Sequence, residues 1–126
     1  MAINILIVDD SAVMRSMIRK TIERSDVEIG EIYEAENGID GLDKLHKNWL
    51  DLLFLDVNMP IMNGMEMLNI IRNTPETSDL PVLIVSTESN AQRIEMINKH
   101  NAGFVHKPFT PEMLREKIMS VLGVPQ

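Results

Sequence analysis

The chain has 126 residues, no cysteine and a formal net charge of −7 at pH 7. This length suits one domain with a full hydrophobic core. The lack of cysteine excludes disulfides, zinc–thiolate sites and thiol catalysis. The negative net charge argues against a nucleic-acid partner, because a protein that binds nucleic acid needs a basic face. The apolar run 5–8 is too short for a signal peptide or a membrane span. We therefore expect one domain over residues 1–126, cytoplasmic and monomeric, that binds proteins and not membranes.

Short apolar runs alternate along the chain with longer segments of helical period, which is typical of βα units repeated around a parallel sheet. In chain order the pattern predicts strands at 3–8, 29–34, 52–56, 82–86 and 103–105, followed in turn by helices at 11–25, 38–47, 64–73, 90–100 and 111–122. The first, third and fourth strands are apolar enough to be buried on both faces, whereas Glu31 and Glu34 interrupt the second. The sequence therefore predicts an α/β fold with a five-stranded parallel sheet.

Polar and small residues mark several boundaries between these elements. Asn37-Gly38 and Asn63-Gly64 predict turns. Thr110 is a candidate cap for the last helix, and Pro111 suits the first helical position.

Charged residues stand at the ends of three predicted strands. Asp9 and Asp10 follow the first strand, Asp56 ends the third, and Lys107 follows the fifth. The carboxyl ends of parallel strands meet at one edge of the sheet, where open α/β folds place their ligands. Carboxylates held so close together repel one another unless a positive charge neutralises them. The pattern therefore predicts a divalent cation and a phosphoryl group at this edge.

Each of these signals also has a simpler interpretation. Asp9 and Asp10 ahead of Ser11 could cap a helix, Asp56 could form a turn, and Lys107 could lie in a solvated loop. Their joint placement at three strand ends, with the charges that a metal and a phosphate need, favours a site.

The motifs resemble those of the receiver domain of two-component response regulators, over essentially the whole chain and most closely in its single-domain chemotaxis members. The resemblance implies the flavodoxin-like (βα)5 fold, a doubly wound parallel sheet with strand order 2-1-3-4-5; this order is known for the family and is not evident from periodicity. The segments that carry the resemblance are Ile5-Leu6-Ile7-Val8-Asp9-Asp10-Ser11, Leu55-Asp56-Val57-Asn58-Met59-Pro60, Asn63-Gly64, Val85-Ser86 and Lys107-Pro108-Phe109-Thr110.

The resemblance implies a phosphorylation site with a bound metal. Asp56 matches the family's phosphoacceptor, which takes a phosphoryl group from a histidine kinase. Mg²⁺, for which Mn²⁺ is an expected substitute, is implied to bind Asp10, Asp56, the backbone carbonyl of Asn58 and, through water, Asp9. Lys107 is implied to pair first with a carboxylate and then with the phosphoryl group.

The resemblance also implies a switch and an output surface. The Ser86 hydroxyl would donate to the phosphoryl oxygen, and Phe104, where chemotaxis members commonly carry tyrosine, would turn inward behind it; ordinary core packing of Phe104 is an equally open interpretation. The implied output surface is the fourth helix, the fifth strand and the fifth helix, with Ile94, Ile97 and Phe104 as residues of interest. A cis peptide bond is implied before Pro108.

We expect a single-domain switch that catalyses only its own phosphorylation and dephosphorylation. Because no output domain follows Gln126, we expect it to act in chemotaxis on a flagellar motor switch protein or a phosphatase, and Asn58 and Glu88 match rapidly dephosphorylating members. The alternatives are a phosphorelay shuttle and a receiver-like interaction module that never takes up phosphate. A phosphohydrolase of the aspartyl-phosphate type would need an acid where Asn58 stands, and Asp9 and Asp10 would repel the flavin phosphate of an electron carrier.

Overall fold

A computed structural model describes residues 2–25, 27–87 and 90–123 of the chain, so that Glu88 lies outside the described residues. Five parallel strands form one sheet in the order β2-β1-β3-β4-β5, which confirms the implied fold. Within the described ranges, no helix is long and apolar enough to cross a lipid bilayer. The elements are β1 (Ile3–Val8), α1 (Ala12–Glu23), β2 (Ile29–Ala35), α2 (Gly38–Lys47), β3 (Leu52–Leu55), α3 (Gly64–Arg72), β4 (Val82–Ser86), α4 (Ala91–Lys99), β5 (Gly103–His106) and α5 (Pro111–Leu122).

Helices cover both faces of the sheet, and the core divides into two layers. Along β1, Ile5 and Ile7 belong to the layer under α1 and α5, whereas Leu6 and Val8 belong to the layer under α2, α3 and α4. This division follows from the alternation of side chains along a strand. Strands β3 and β4 are buried along their whole length, as predicted. Polar groups of the central strands can therefore reach water only at the two ends of the sheet.

Two of the predicted turns are in fact helix caps. The Asn37 side chain accepts a hydrogen bond from the N–H of Asp40 at 2.9 Å and caps α2. Asn63 accepts from the N–H of Glu66 at 2.9 Å in a capping box that begins α3. The prediction was wrong about these two positions because an asparagine before a glycine precedes a turn and a capped helix alike. Thr110 caps α5, as predicted.

Candidate functional site

Three aspartates converge at the carboxyl edge of the sheet. Asp9 follows β1 and Asp56 follows β3, and these two strands are neighbours in the sheet. Asp9 is 2% exposed and Asp56 is 6% exposed, whereas Asp10 is open to solvent. One carboxylate oxygen from each of the three lies within 4.8 Å of the other two. The structure thus brings together the three predicted carboxylates.

Lys107 lies between two of these carboxylates. Its Nζ is 3.1 Å from Asp9 Oδ2 and 3.5 Å from Asp56 Oδ1, and its side chain is 15% exposed. The backbone N–H of Lys107 donates to the carbonyl oxygen of Ser86 at 2.7 Å, which ties the loop after β5 to the end of β4. The peptide bond between Lys107 and Pro108 is cis, as predicted.

The pKa of Asp56 is raised above the ordinary value of an aspartate. Burial is the largest cause, and the negative charges of Asp9 and Asp10 act in the same direction. The charge of Lys107 and a backbone hydrogen bond from Asn58 act in the opposite direction and are outweighed. Three carboxylates beside one lysine leave an excess of negative charge, so a further cation is electrostatically favoured at this point.

The loop after β3 is packed tightly against the start of α3. The N–H of Gly64 donates to the carbonyl oxygen of Val57 at 2.9 Å. A Cβ at position 64 would overlap the carbonyl oxygen of Asp56, so only glycine fits there. In the same loop Ile61 has a φ of 69° and is 74% exposed, which is an outlier for a β-branched residue. The loop therefore fixes the backbone of Asp56 and presents an apolar side chain to solvent nearby.

The predicted switch residues lie on adjacent strands. Ser86, at the end of β4, is fully buried. Phe104, on β5, is half-buried against the core layer under α2, α3 and α4, and its ring meets that of His106 edge-on at a centroid distance of 6.3 Å. Ile94 of α4 is half-buried, but Ile97 is fully buried. The interest in Ile97 as a surface residue was wrong, because α4 turns this side chain into the core.

A second basic group beside the site was missed by the sequence analysis. Arg15 of α1 donates from Nη1 to the carbonyl oxygen of Asp9 at 2.5 Å and from Nε to Glu34 Oε1 at 2.9 Å. Arg19, one helical turn further on, binds the other oxygen of Glu34 at 2.8 Å. The signal in the sequence was Glu34 itself, a charged residue near the end of a strand, which the apolar pattern treats as an interruption.

The donor set fits a hard divalent cation. Asp9, Asp10 and Asp56 offer carboxylate oxygens, which are the ligands that Mg²⁺ and Mn²⁺ prefer in proteins. Burial is the main reason that the pKa of Asp56 is raised, and repulsion from Asp9 and Asp10 adds to it. A bound divalent cation would reduce that repulsion.

Comparison with known proteins identifies similar chains of nearly the same length. The profile of the response regulator receiver domain family matches residues 5–119. A chemotaxis protein CheY homolog of Campylobacter jejuni is 39% identical over 123 residues, which covers 94% of this chain and 92% of that protein. The chemotaxis protein CheY1 of Helicobacter pylori is 37% identical, with coverage of 94% and 96%. Among solved structures, the chemotaxis response regulator CheY4 of Vibrio cholerae is similar with a TM-score of 0.85 at 31% identity, over 97% of this chain and 100% of that one.

Proposed function

This chain belongs to the response regulator receiver domain family, and from that premise we propose that Asp56 accepts a phosphoryl group from the phosphohistidine of a histidine kinase. Membership makes the chain a response regulator of two-component signalling. The observation that carries the proposal is the surroundings of Asp56, whose carboxylate lies 3.5 Å from the Nζ of Lys107 and has oxygens of two further aspartates within 4.8 Å. This arrangement offers a nucleophile and a cation to a phosphoryl group at one point.

Phosphoryl transfer to Asp56 is a displacement at phosphorus. A carboxylate oxygen attacks the phosphorus, the P–N bond of the phosphohistidine breaks, and its electron pair stays on the imidazole nitrogen, which takes up a proton. The product is an acyl phosphate on Asp56. Water later attacks the phosphorus, releases inorganic phosphate and restores the carboxylate. Because the group that is phosphorylated and later restored is the protein's own side chain, the protein acts as a signalling switch.

Lys107 and Ser86 act on the oxygens of the transferred group. The ammonium of Lys107 neutralises a carboxylate before transfer and a phosphoryl oxygen after it. The hydroxyl of Ser86, at the end of β4, donates to a phosphoryl oxygen once that oxygen is present. The movement of Ser86 leaves room for Phe104 to turn inward, and this two-state rearrangement changes the surface of α4, β5 and α5.

A Mg²⁺ ion, or Mn²⁺ in its place, would be held by Asp10, Asp56, the backbone carbonyl of Asn58 and, through water, Asp9. When bound, the ion neutralises the negative charge that collects on the carboxylate and phosphoryl oxygens. This chain's own contribution is to hold the carboxylates apart from bulk water, as the low exposure of Asp9 and Asp56 indicates.

The output of the switch is binding to another protein. The relatives from Campylobacter jejuni and Helicobacter pylori are named chemotaxis proteins, so we place this chain in chemotaxis, with a flagellar motor switch protein or a phosphatase as the partner that recognises phosphorylation. Ile94 and Phe104 are half-buried on the proposed surface, and Met96, which also belongs to α4, is 50% exposed. These side chains can gain apolar contact with a partner.

Mass spectrometry of the intact protein tests the proposal. Incubation with acetyl phosphate and Mg²⁺ should add one phosphoryl group to the wild type and none to Asp56→Asn, and chelation of the metal should suppress the adduct. Asp43→Asn is the matched control, because Asp43 is an exposed aspartate on α2 that pairs with Lys47. An adduct that persists in Asp56→Asn would assign the acceptor elsewhere. No adduct under any condition would instead favour the phosphate-independent interaction module.

A further inference from the structure

Asp9 is held by hydrogen bonds to both its backbone and its side chain. Its N–H donates to the carbonyl oxygen of Ala35 at 3.1 Å. Its Oδ1 accepts from the N–H of Ser11 at 2.9 Å, and its Oδ2 accepts from Lys107 at 3.1 Å. Its remaining polar group, the backbone carbonyl, accepts from Arg15. Backbone and side chain are therefore held from four directions, although Asp9 is not the residue proposed to be phosphorylated.

The hydrogen bond from Arg15 to the Asp9 carbonyl also affects the orientation of Asp10. That carbonyl belongs to the planar peptide unit that joins Asp9 to Asp10. Fixing the carbonyl oxygen fixes the plane, and with it the position of the Asp10 Cα and the direction in which the Asp10 side chain leaves the backbone. Asp10 is exposed, so packing against neighbouring side chains does little to orient it. The hydrogen bond from Arg15 supplies an orientation that the surroundings of Asp10 do not.

Glu34 holds Arg15 in the position from which it donates to the Asp9 carbonyl. The Nε of Arg15 donates to Glu34 Oε1 while Nη1 reaches the Asp9 carbonyl, so that one planar guanidinium spans β2 and the end of β1. The side chain of Arg15 is 16% exposed. Arg19 binds the second oxygen of Glu34 at 2.8 Å and keeps the carboxylate from turning away. A lysine at position 15 would keep the charge but could not make both contacts with one rigid fork.

We infer that Arg15, oriented by Glu34, is a positioning residue that sets the Asp9–Asp10 peptide plane and thereby the approach of the Asp10 carboxylate to a divalent cation. The inference rests on the proposed function, because it assigns Asp10 to the metal. Groups that orient metal ligands without touching the metal typically change its affinity by about 10–100-fold when they are replaced.

Isothermal titration calorimetry of the full chain with Mg²⁺, without a phosphodonor, tests this inference. Arg15→Lys should weaken Mg²⁺ binding by about tenfold, since the charge is kept and only the fork is lost. Arg24→Lys is the matched control, because Arg24 is an exposed arginine at the C-terminal cap of α1, away from the Glu34 ion pairs and from the acidic site; its affinity should stay within about twofold of the wild type. Glu34→Gln should give an intermediate loss. Urea unfolding of each variant measures the change in fold stability separately.

The outcomes separate the inference from the proposed function. If the wild type binds Mg²⁺ and becomes phosphorylated while Arg15→Lys binds Mg²⁺ equally well, the positioning role is overturned and the proposed function stands. Equal losses in Arg15→Lys and Arg24→Lys would also overturn it, because a general effect of replacing an arginine on α1 would then explain both. If the wild type neither binds Mg²⁺ nor forms an adduct, both ideas fail together.

Discussion

The acidic site has a half-buried cation on each side, and the two cations make different contacts. On the β5 side, Lys107 is 15% exposed and its Nζ contacts the carboxylate oxygens of Asp9 and Asp56. On the α1 side, Arg15 is 16% exposed, and in the part of the chain that the structure describes it reaches the site through the Asp9 carbonyl. Lys107 and Arg15 are therefore alike in burial and charge but differ in what they contact: carboxylate oxygens in one case and a backbone carbonyl in the other.

The acidic site combines a cation that can move with a cation that is fixed. A lysine ammonium is a compact charge on a flexible stem, so Lys107 can follow negative charge from a carboxylate to a phosphoryl group. A guanidinium bonded to Glu34 and to a backbone carbonyl has no such freedom. In the functions proposed above, Lys107 neutralises charge and Arg15 holds the Asp9–Asp10 backbone in place.

Replacing Lys107 and replacing Arg15 should change the affinity for Mg²⁺ in opposite directions. Lys107→Met should slow phosphorylation by acetyl phosphate by about a hundredfold, as loss of a group that stabilises developing charge typically does, yet it should tighten Mg²⁺ binding because a competing cation is removed. Calorimetry and intact mass measure the two quantities. Lys44→Met, which removes an ion pair with Asp40 on α2, is the control. Weaker Mg²⁺ binding in Lys107→Met would mean that both cations act by positioning.

Asp56→Asn tests whether the negative charge of the three aspartates, which Lys107 and Arg15 do not fully neutralise, destabilises the fold. The pKa of Asp56 is raised by burial and by Asp9 and Asp10, so between the ordinary pKa of aspartate and the raised one the folded protein binds more protons than the unfolded chain. Stability therefore falls as the pH rises through that window, and ionised Asp56 destabilises the fold at pH 7. Asp56→Asn should raise the free energy of unfolding at pH 7 by about 1 kcal/mol.

Urea unfolding in metal-free buffer measures this change. The 3.1 Å contact of Lys107 with Asp9 does not involve Asp56, so the substitution leaves Lys107 an anionic partner. The gain should shrink as the pH is lowered and Asp56 takes up a proton in the wild type. A gain that is independent of pH would show that lost repulsion is not its cause.

Glu34→Gln probes the α1 side with a smaller effect of opposite sign. Burial alone would raise the pKa of Glu34, but the hydrogen bonds and charges of Arg19 and Arg15 outweigh it and lower the pKa. The stabilisation is therefore present above the ordinary value of 4.5 and is lost as the pH falls through the lowered pKa. Because the side chain is 33% exposed, the loss at pH 7 should stay below about 1 kcal/mol. Thermal unfolding at neutral and acid pH checks it, and an equal loss at both would contradict the ion-pair explanation.

The sequence analysis predicted the β5 side of the site far better than the α1 side. Asp56 directly follows the apolar run of β3, and Lys107 directly follows β5. Parallel strands place their carboxyl ends at one edge, so the two side chains could be predicted to meet. Glu34 is a charged residue near a strand end, but its partners could not be predicted. They depend on how β2 aligns with β1, and that pairing shifts register between Ile3 and Ile5. The burial of Ile97 was missed for a related reason: the rotation of α4 about its axis is decided by packing and not by sequence spacing alone.

Gly64 has a consequence for how the molecule can deform. The carbonyl of Asp56 and the first residue of α3 approach so closely that no side chain fits between them, and the Gly64 N–H is bonded to Val57. Two backbones in direct contact behave as one stiff piece, because there is no rotamer to absorb a displacement. A displacement of Asp56 therefore cannot be absorbed where it contacts α3. We expect the structure to adjust instead on the other side of β3, at β4 and β5.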